Sequence, residues 1–470
     1  MRNRAYRFGI LGSVLIGTLA WGSNSSASGF STARFGAEHG TPVSTNPTAI
    51  YYNPAGIALS ESPYNLYLDV SVAMRSASFQ HSQIHPCNPD DPNAKEYCEP
   101  PGAQGANTDQ GKLFNVLAIP MFGASARFGN FAVGAGVYVP FGGTSIWDKN
   151  ERFKNNPTYP GPYDGPARWY SINGTIQSTY YTLGAAYHIP RTGLTLGVSG
   201  NLVQSVIHTI RARISDGSND VAAEGRSYTD TKGWNGSFGV GAMYELLKDK
   251  VWVGASYQSK PGVTGGIKLK GTLRGYFNGV ESLDRIQIEE DLPDIIRAGV
   301  RYRVKPSIEL RLFGDYTRWS ALKQMCMSKE GESCVVQADG SRPPGNTATI
   351  QNLPRNWNDA WGIRFGTSIW PIEPLEVMIG TGYDSNAIPD KALDPALMDF
   401  HKVMLALGGR YRFVKQVFGA LTVSQFFYVP RDTNGDNINA TWKPPSAGPD
   451  AGGKYTQRTT VINANVQFAF

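Results

Sequence analysis

The chain runs to 470 residues and carries 44 Lys and Arg against 38 Asp and Glu, a formal charge of +6. A charge this balanced excludes a nucleic-acid binder, whose cations concentrate on one face. With 53 Gly, 23 Tyr and 10 Trp and few segments of helical period, the composition points to many strands joined by turns.

The chain opens with Arg2, Arg4 and Arg7, an apolar run from Phe8 to Trp21, and a patch of small residues, Ser23-Asn-Ser-Ser-Ala-Ser28. That order predicts a secretory signal over 1–27, because the run falls short of the ~20 apolar residues a spanning helix needs. The mature chain then divides into an N-terminal plug over 28–61 and a strand-rich body over 62–470. In the plug, Asn46-Pro47 and Asn53-Pro54 bracket a small apolar and aromatic segment. Asn accepts a helix's first free N–H, Pro suits the first helical position, and the residue before Pro leaves the helical region. The stretch predicts two short helical turns with a corner between them.

From Asn65 the pattern becomes strict alternation, with Leu66, Leu68, Val70, Val72 and Met74 on one face and Tyr67, Asp69, Ser71, Ala73 and Arg75 on the other. Further segments follow at 113–128, 131–141, 170–189, 193–213, 230–247, 250–269, 286–304, 307–319, 357–371, 374–384, 401–414, 416–429 and 455–470. With 65–79 they make fourteen, many longer than the about five or six residues of an ordinary strand. Short linkers such as Gly129-Asn130 and Lys305-Pro306 alternate with long ones near 80–112, 142–169, 214–229, 270–285, 320–356, 385–400 and 430–454. An even strand number with short turns on one side and long loops on the other predicts an all-β fold, a 14-stranded antiparallel transmembrane β-barrel in an outer membrane. The plug's place is then the lumen.

The charges follow the same period. Arg297, Arg301 and Arg303 oppose Ile296, Ala298, Val300 and Tyr302, Arg364 opposes Trp361, Ile363 and Phe365, and Arg410 and Arg412 oppose Leu405, Leu407, Tyr411 and Phe413. Arg facing lipid at midplane costs ~2–4 kcal/mol, so these arginines belong in the lumen. Glu309, Arg311 and Asp315 share a face with which they can pair, and Arg297, Arg301, Arg364 and Arg410 are candidate partners for a carboxylate substrate. The last strand ends at Phe470, with Ile462, Ala464, Val466 and Phe468 on one face. The four cysteines form two local pairs, Cys87 with Cys98 and Cys326 with Cys334, each expected to close a short loop as a disulfide. His81 and His85 have no zinc spacing, and Asp432-Thr-Asn-Gly-Asp436 lacks the Gly and Glu of a calcium loop, so it is expected to be a polar turn. No Ser/His/Asn grouping of a lipase stands out. Neither enzyme activity, cofactor nor metal is expected.

The chain resembles the FadL/TodX family of outer-membrane transporters for hydrophobic compounds. The likeness is carried by Ser28-Gly-Phe30, Tyr51-Tyr-Asn-Pro-Ala-Gly56, Gly136-Val-Tyr-Val-Pro-Phe-Gly142, Leu292-Pro-Asp-Ile-Ile-Arg-Ala-Gly-Val-Arg-Tyr302, Asp315-Tyr-Thr-Arg-Trp-Ser320 and Gly382-Tyr-Asp-Ser-Asn-Ala-Ile-Pro389. The resemblance implies a lumenal hatch and passive uptake of long-chain fatty acids, with sideways release through a gap beside a kinked third strand. It assigns that exit to Asn53, Pro54, Ala55, Gly136, Pro140, Phe141 and Gly142. Glycines at 134, 136, 142 and 143 with Pro140 give the third strand room to bend. Aromatic hydrocarbon uptake and a general porin are the rival readings. The loop 142–169, with Trp147, Phe153, Tyr159, Tyr163 and Trp169, is expected to offer an apolar capture surface, since Ser215–Gly225 is polar. Expected partners are the apolar substrate, outer-membrane lipid and lipopolysaccharide, and the assembly machinery that reads a terminal Phe. No nucleic acid is expected, and a monomer is.

Overall fold

A computed structural model describes residues 34–82, 99–263, 265–277 and 279–470. The predicted leader lies outside the described residues. The body is a closed barrel of 14 antiparallel strands. In chain order these are β1 Tyr64–His81, β2 Gln110–Phe128, β3 Phe131–Ile146, β4 Asn173–His188, β5 Leu194–Arg213 and β6 Gly225–Leu247. Four two-part strands follow: β7 (Val251–Gln258 and Ile267–Phe277), β8 (Val280–Glu290 and Ile295–Lys305), β9 (Ile308–Thr317 and Gln324–Lys329) and β10 (Thr349–Pro354 and Ala360–Ile372). The circuit ends with β11 Leu375–Asp384, β12 Lys402–Val414, β13 Val417–Tyr428 and β14 Gly453–Ala469. β14 pairs with β1 from Asn65↔Ala469 to His81↔Gly453, which leaves neither strand with an open edge.

Side chains partition as the period demands. On β1, Leu68 and Val70 are exposed to the lipid side while Asp69 and Ser71 are buried in the lumen. Leu405, Leu407, Trp361, Ile363 and Phe365 likewise face out, and Asn463, Asn465 and Gln467 face in. Several of the lumenal charges neutralise one another. Arg364 lies 2.5 Å from both Asp315 and Asp384, and Glu309 takes Arg311 at 3.1 Å and Arg303 at 3.4 Å.

Two stretches expected to be loops are strands. The span 270–285 is the tip of a hairpin in which Ile267 faces Glu290 and Phe277 faces Val280, and 320–356 contains the paired segments of β9 and β10. Ile267, Leu269 and Leu273 face in; Lys268, Lys270 and Arg274 face out, above the apolar band, where outward means water. Charges on the outer face therefore gave the segment a loop's composition.

The breaks in β7 to β10 lie at one height, since Gln258, Ile295, Thr317 and Ala360 stand side by side in register. Pro261 and Pro293 fall within two of these breaks, where a missing ladder donor costs nothing. Leu292, Trp319, Leu322 and Trp357 turn inward there and are buried.

Of the two expected disulfides, the structure shows that of Cys326 with Cys334, which sits above this level. It does not show the expected disulfide of Cys87 with Cys98, because Cys87 and Cys98 both lie outside the described residues.

Because Arg364 is held between two carboxylates, Arg364→Leu leaves both facing each other in a half-buried site. Removing one partner of a buried pair costs about 3–5 kcal/mol. We expect urea unfolding of the variant, refolded in micelles, to show a loss of that order, and Asp315→Asn to lose less.

Candidate functional site

The plug forms from the local chemistry of its Asn-Pro steps. Asn46 Oδ1 accepts the Thr48 N–H at 2.9 Å and a short helix, α1, covers Ala49–Tyr52. Asn53 Oδ1 then accepts the Ala55 N–H at 3.2 Å, with Pro54 opening a second short helix, Pro54–Leu59. Nearly every residue of this hatch is buried inside the barrel.

What seats it is a set of facing glycines on the lumenal wall. Gly123 faces Gly136, Gly134 faces Gly184, Gly197 faces Gly241, Gly254 faces Gly299 and Gly366 faces Gly380. A Cβ on Gly197 would stand 2.2 Å from the Ala55 nitrogen, one on Gly241 2.0 Å from Asn53 Oδ1, and one on Gly254 2.4 Å from the Pro42 carbonyl. Pro47 fills the space over Gly123, Ile50 that over Gly136 and Gly184, and Glu38 that over Gly380. The glycines of β3 at 134 and 136 thus make room for Ile50 and Ile57 of the hatch.

Polar contacts fix the orientation. Asn53 Nδ2 donates to the carbonyls of Pro42 (2.8 Å) and Ala242 (3.0 Å), and Asp69 accepts the Gly36 N–H at 2.9 Å. Ser256 donates to the Tyr52 carbonyl at 2.6 Å, and His39 meets Glu376 at 2.9 Å. The Arg297 guanidinium lies 4.3 Å over the Tyr51 ring. Burial pushes the Tyr51 and Tyr52 phenols up, so both remain neutral.

The wall parts beside the hatch. β2 and β3 pair from Phe128↔Phe131 only as far as Met121↔Tyr138, while β3 keeps β4 as its partner across an irregularity between Tyr138 and Phe141. Pro120 and Pro140, which have no N–H, stand where the two strands separate. Higher up, Asn115 bridges them with its side chain, accepting from the Ile146 N–H at 3.2 Å and donating to the Ile146 carbonyl at 3.0 Å. Arg75 reaches from β1 to the Thr144 carbonyl at 3.0 Å. The inner rim is apolar: Leu117, Ile119, Met121, Tyr138 and Phe141 are all buried.

From this rim an aromatic series climbs the lumen. Tyr138 stacks on Tyr180 (5.7 Å), Phe141 meets Tyr180 (6.3 Å) and Trp319 (5.9 Å), and Trp319 meets Trp357 (5.0 Å). Tyr138 also packs on Phe35 and Tyr51 of the hatch, at 5.5 and 5.2 Å. Above lies a cavity of about 140 Å³ lined by Ile176, Ile207, Met325, Met327 and Leu353 together with Arg211, Arg213, Arg342 and Arg355. Asp394 is the acid of this lining and is taken by Arg355 at 2.7 Å. Arg211 donates to Gln351 and Arg213 to the Ile350 carbonyl (3.1 Å), both neutral. Below the hatch a polar vestibule of about 840 Å³ opens among the short turns.

The residues singled out from sequence are thus separated. Pro140, Phe141 and Gly142 lie on β3 at the parting, and Gly136 lies just below it, still paired with Gly123. Asn53, Pro54 and Ala55 sit against β5 to β7 instead, and Pro47, Ile50 and Tyr51 are the hatch residues turned to β2 and β3. Arg297 is engaged with the hatch. Arg301 lies over Trp252 at 4.1 Å and Arg410 over Phe418 at 4.2 Å, both lining the vestibule, and Arg364 is held by its two carboxylates. Arg211 and Arg213 escaped the sequence reading, although the lumenal parity of Val203 and Ile207 extends to them. The loop 142–169 is no exposed apolar surface. Phe153 packs with Ala103, Ala106 and Val221, Trp147 and Trp169 are buried, and Arg168, fully buried, bonds Glu224 at 2.7 Å. Asp432–Asp436 is a turn, with Asp432 accepting the Asn434 N–H at 3.2 Å.

The profile of outer membrane protein transport proteins (OMPP1/FadL/TodX) matches residues 23–470. The chain belongs to this family. A putative outer membrane protein, NMB0088, of Neisseria meningitidis serogroup B is 23% identical over 432 residues, covering 86% of each chain. Among solved structures, a Pseudomonas aeruginosa FadL homologue superposes with a TM-score of 0.73 at 16% identity, over 96% of this chain and 98% of its own. The toluene transporters TbuX of Ralstonia pickettii and TodX of P. putida each give 0.60 at 15% identity, over 90% and 91% of this chain and 94% of their own. These likenesses establish the shared barrel fold. As a FadL/TodX-family member, the chain is an outer-membrane transporter of hydrophobic compounds.

A side chain at Gly197 has no space while the hatch is in place. Gly197→Val is expected to assemble as a barrel, with unchanged heat-shifted mobility on gels. It is also expected to expose the 34–60 segment to protease and to raise steady conductance in planar bilayers above the parent.

Proposed function

We propose that the protein carries long-chain fatty acids passively through the outer membrane, and that the substrate leaves sideways between β2 and β3. The observation that carries this reading is the coincidence of a ladder break with an apolar lumenal rim, directly above a seated hatch. A fatty acid gains ~0.8 kcal/mol for each CH₂ kept from water, so a route that stays apolar from lumen to bilayer suits it better than an aqueous pore. In this reading the tail lies along Ile176, Ile207, Phe141 and Tyr180, and the carboxylate rests on Arg211, Arg213 and Arg342, whose charge Asp394 does not offset. The hatch acts as a fixed floor that turns the substrate toward the opening.

The rival reading, uptake of a neutral aromatic hydrocarbon, draws on the Tyr138, Tyr180, Phe141 and Trp319 series. The two differ in their need for the arginines. Charge-assisted hydrogen bonds contribute about 1.5–3 kcal/mol, so Arg211→Gln with Arg213→Gln should weaken fatty-acid uptake about tenfold or more. Toluene uptake should stay at the parental level. Unchanged fatty-acid uptake in that variant would reject the head-group site. Ile119→Glu, which places a charge on the rim, is expected to stop uptake of either substrate while leaving assembly intact.

A further inference from the structure

The outer surface of β14, β1 and β2 changes from apolar to polar and cationic toward the long loops. Reading upward, outward positions run Val70, Val72 and Met74 on β1, Ala464 and Ile462 on β14, and Val116 and Phe114 on β2. Above them come Lys112 on β2, next after Phe114, and on β14 Thr460, Arg458, Thr456 and Lys454; all three cations are exposed. Register brings them together. Ser76 stands between Arg458 and Phe114, and Ser78 stands between Thr456 and Lys112. Opposed residues on neighbouring strands have Cβ atoms about 4.5–5.5 Å apart, so Arg458 and Lys112 flank the two serines within reach of one ligand. Ser78 and Thr456 add hydroxyls, 2.7 Å apart.

Among the described residues none of these three cations has an ion pair, and the three strands carry no outward acid. Two acids stand beside these cations without an ion pair to them: Asp432, opposite Lys454 in register, and the exposed Asp148, whose backbone N–H meets the Lys112 carbonyl at 2.8 Å. On β7 the pattern differs. Lys268 is taken by Glu289 at 3.0 Å and Lys270 by Glu330 at 3.4 Å. The long loops, and hence this end of the strands, lie on the outer side of the membrane. Uncompensated cations at the top of the apolar band therefore meet the head groups of the outer leaflet.

We propose that Arg458, Lys112 and Lys454, with Ser76 and Ser78, form a site on the barrel exterior for the phosphates of an outer-leaflet phosphoglycolipid. Its acyl chains lie on the apolar band below. The site adjoins the β2–β3 opening and so holds a structural lipid beside it. This inference rests on the orientation of the barrel and not on what it transports.

The test measures binding of bis-phosphorylated lipid A, and of the same lipid A stripped of its phosphates, to the full barrel in micelles. Each cation near an anionic surface contributes about 1 kcal/mol, so Lys112→Gln with Arg458→Gln should bind the phosphorylated lipid about tenfold or more weakly. The parent should prefer the phosphorylated form, and added salt should erase the preference. Lys268→Gln with Lys270→Gln should match the parent. Parental affinity in the first variant, equal loss in the second, or no preference for the phosphorylated lipid would each overturn the site. Should the double variant lack the heat-shifted band of a folded barrel, Arg458→Gln alone is read by the same criteria. None of these readings depends on fatty-acid or toluene uptake.

Discussion

Within hydrocarbon a backbone N–H or C=O finds no partner but another strand, so strands can part only where the freed groups are otherwise met. That constraint governs the wall of this barrel. β2 and β3 separate above Met121 and Tyr138, and the chain places residues there that lessen the cost. Pro120 and Pro140 contribute no donor, Asn115 supplies a side-chain substitute for one rung, and Arg75 covers the Thr144 carbonyl from inside. The same rule explains the breaks in β7 to β10, which fall at one height and turn Trp319 and Trp357 into the lumen instead of opening the wall.

The lumen is divided by chemistry as much as by the hatch. Above it the wall is apolar and aromatic, with arginines gathered at one end of the cavity. Below it, charges of both signs crowd the vestibule and cancel in pairs, as Glu309 does with Arg311 and Arg303. An apolar solute has little reason to enter that lower space. A wall opening just above the hatch offers it hydrocarbon instead.

Period-two alternation made the strands legible, and the sign of each face followed from the cost of Arg against lipid. The Asn-Pro steps were legible because a cap and a first-turn proline are local devices. Of the cysteine pairs, Cys326 with Cys334 was legible from its short spacing and is a disulfide, whereas Cys87 and Cys98 fall outside the described residues. What the sequence did not disclose were features whose meaning changes with height or with a distant partner. Lys270 and Arg274 look like loop residues until their strand is known to rise above the apolar band. Gly134 and Gly136 reported that a Cβ was missing, but not that Ile50 and Ile57 occupied the space. Trp147, Phe153 and Trp169 looked like a capture surface, yet they pack into the loops that cover the barrel. Arg211 and Arg213 were within reach of the parity rule, but they lie at the end of a strand where the alternation is hardest to follow.

The paired glycines have a consequence for how the barrel is completed. They are spread from β2 to β11, so the hatch touches most of the circumference at once, with tolerances set by atoms rather than by solvent. A barrel's girth is fixed by its strand number and stagger. A circuit slipped by one residue would turn side chains inward where the glycines should be, and the hatch would no longer fit. The folded segment at the chain's beginning therefore serves as a gauge of the finished ring, matching only the register in which β14 meets β1.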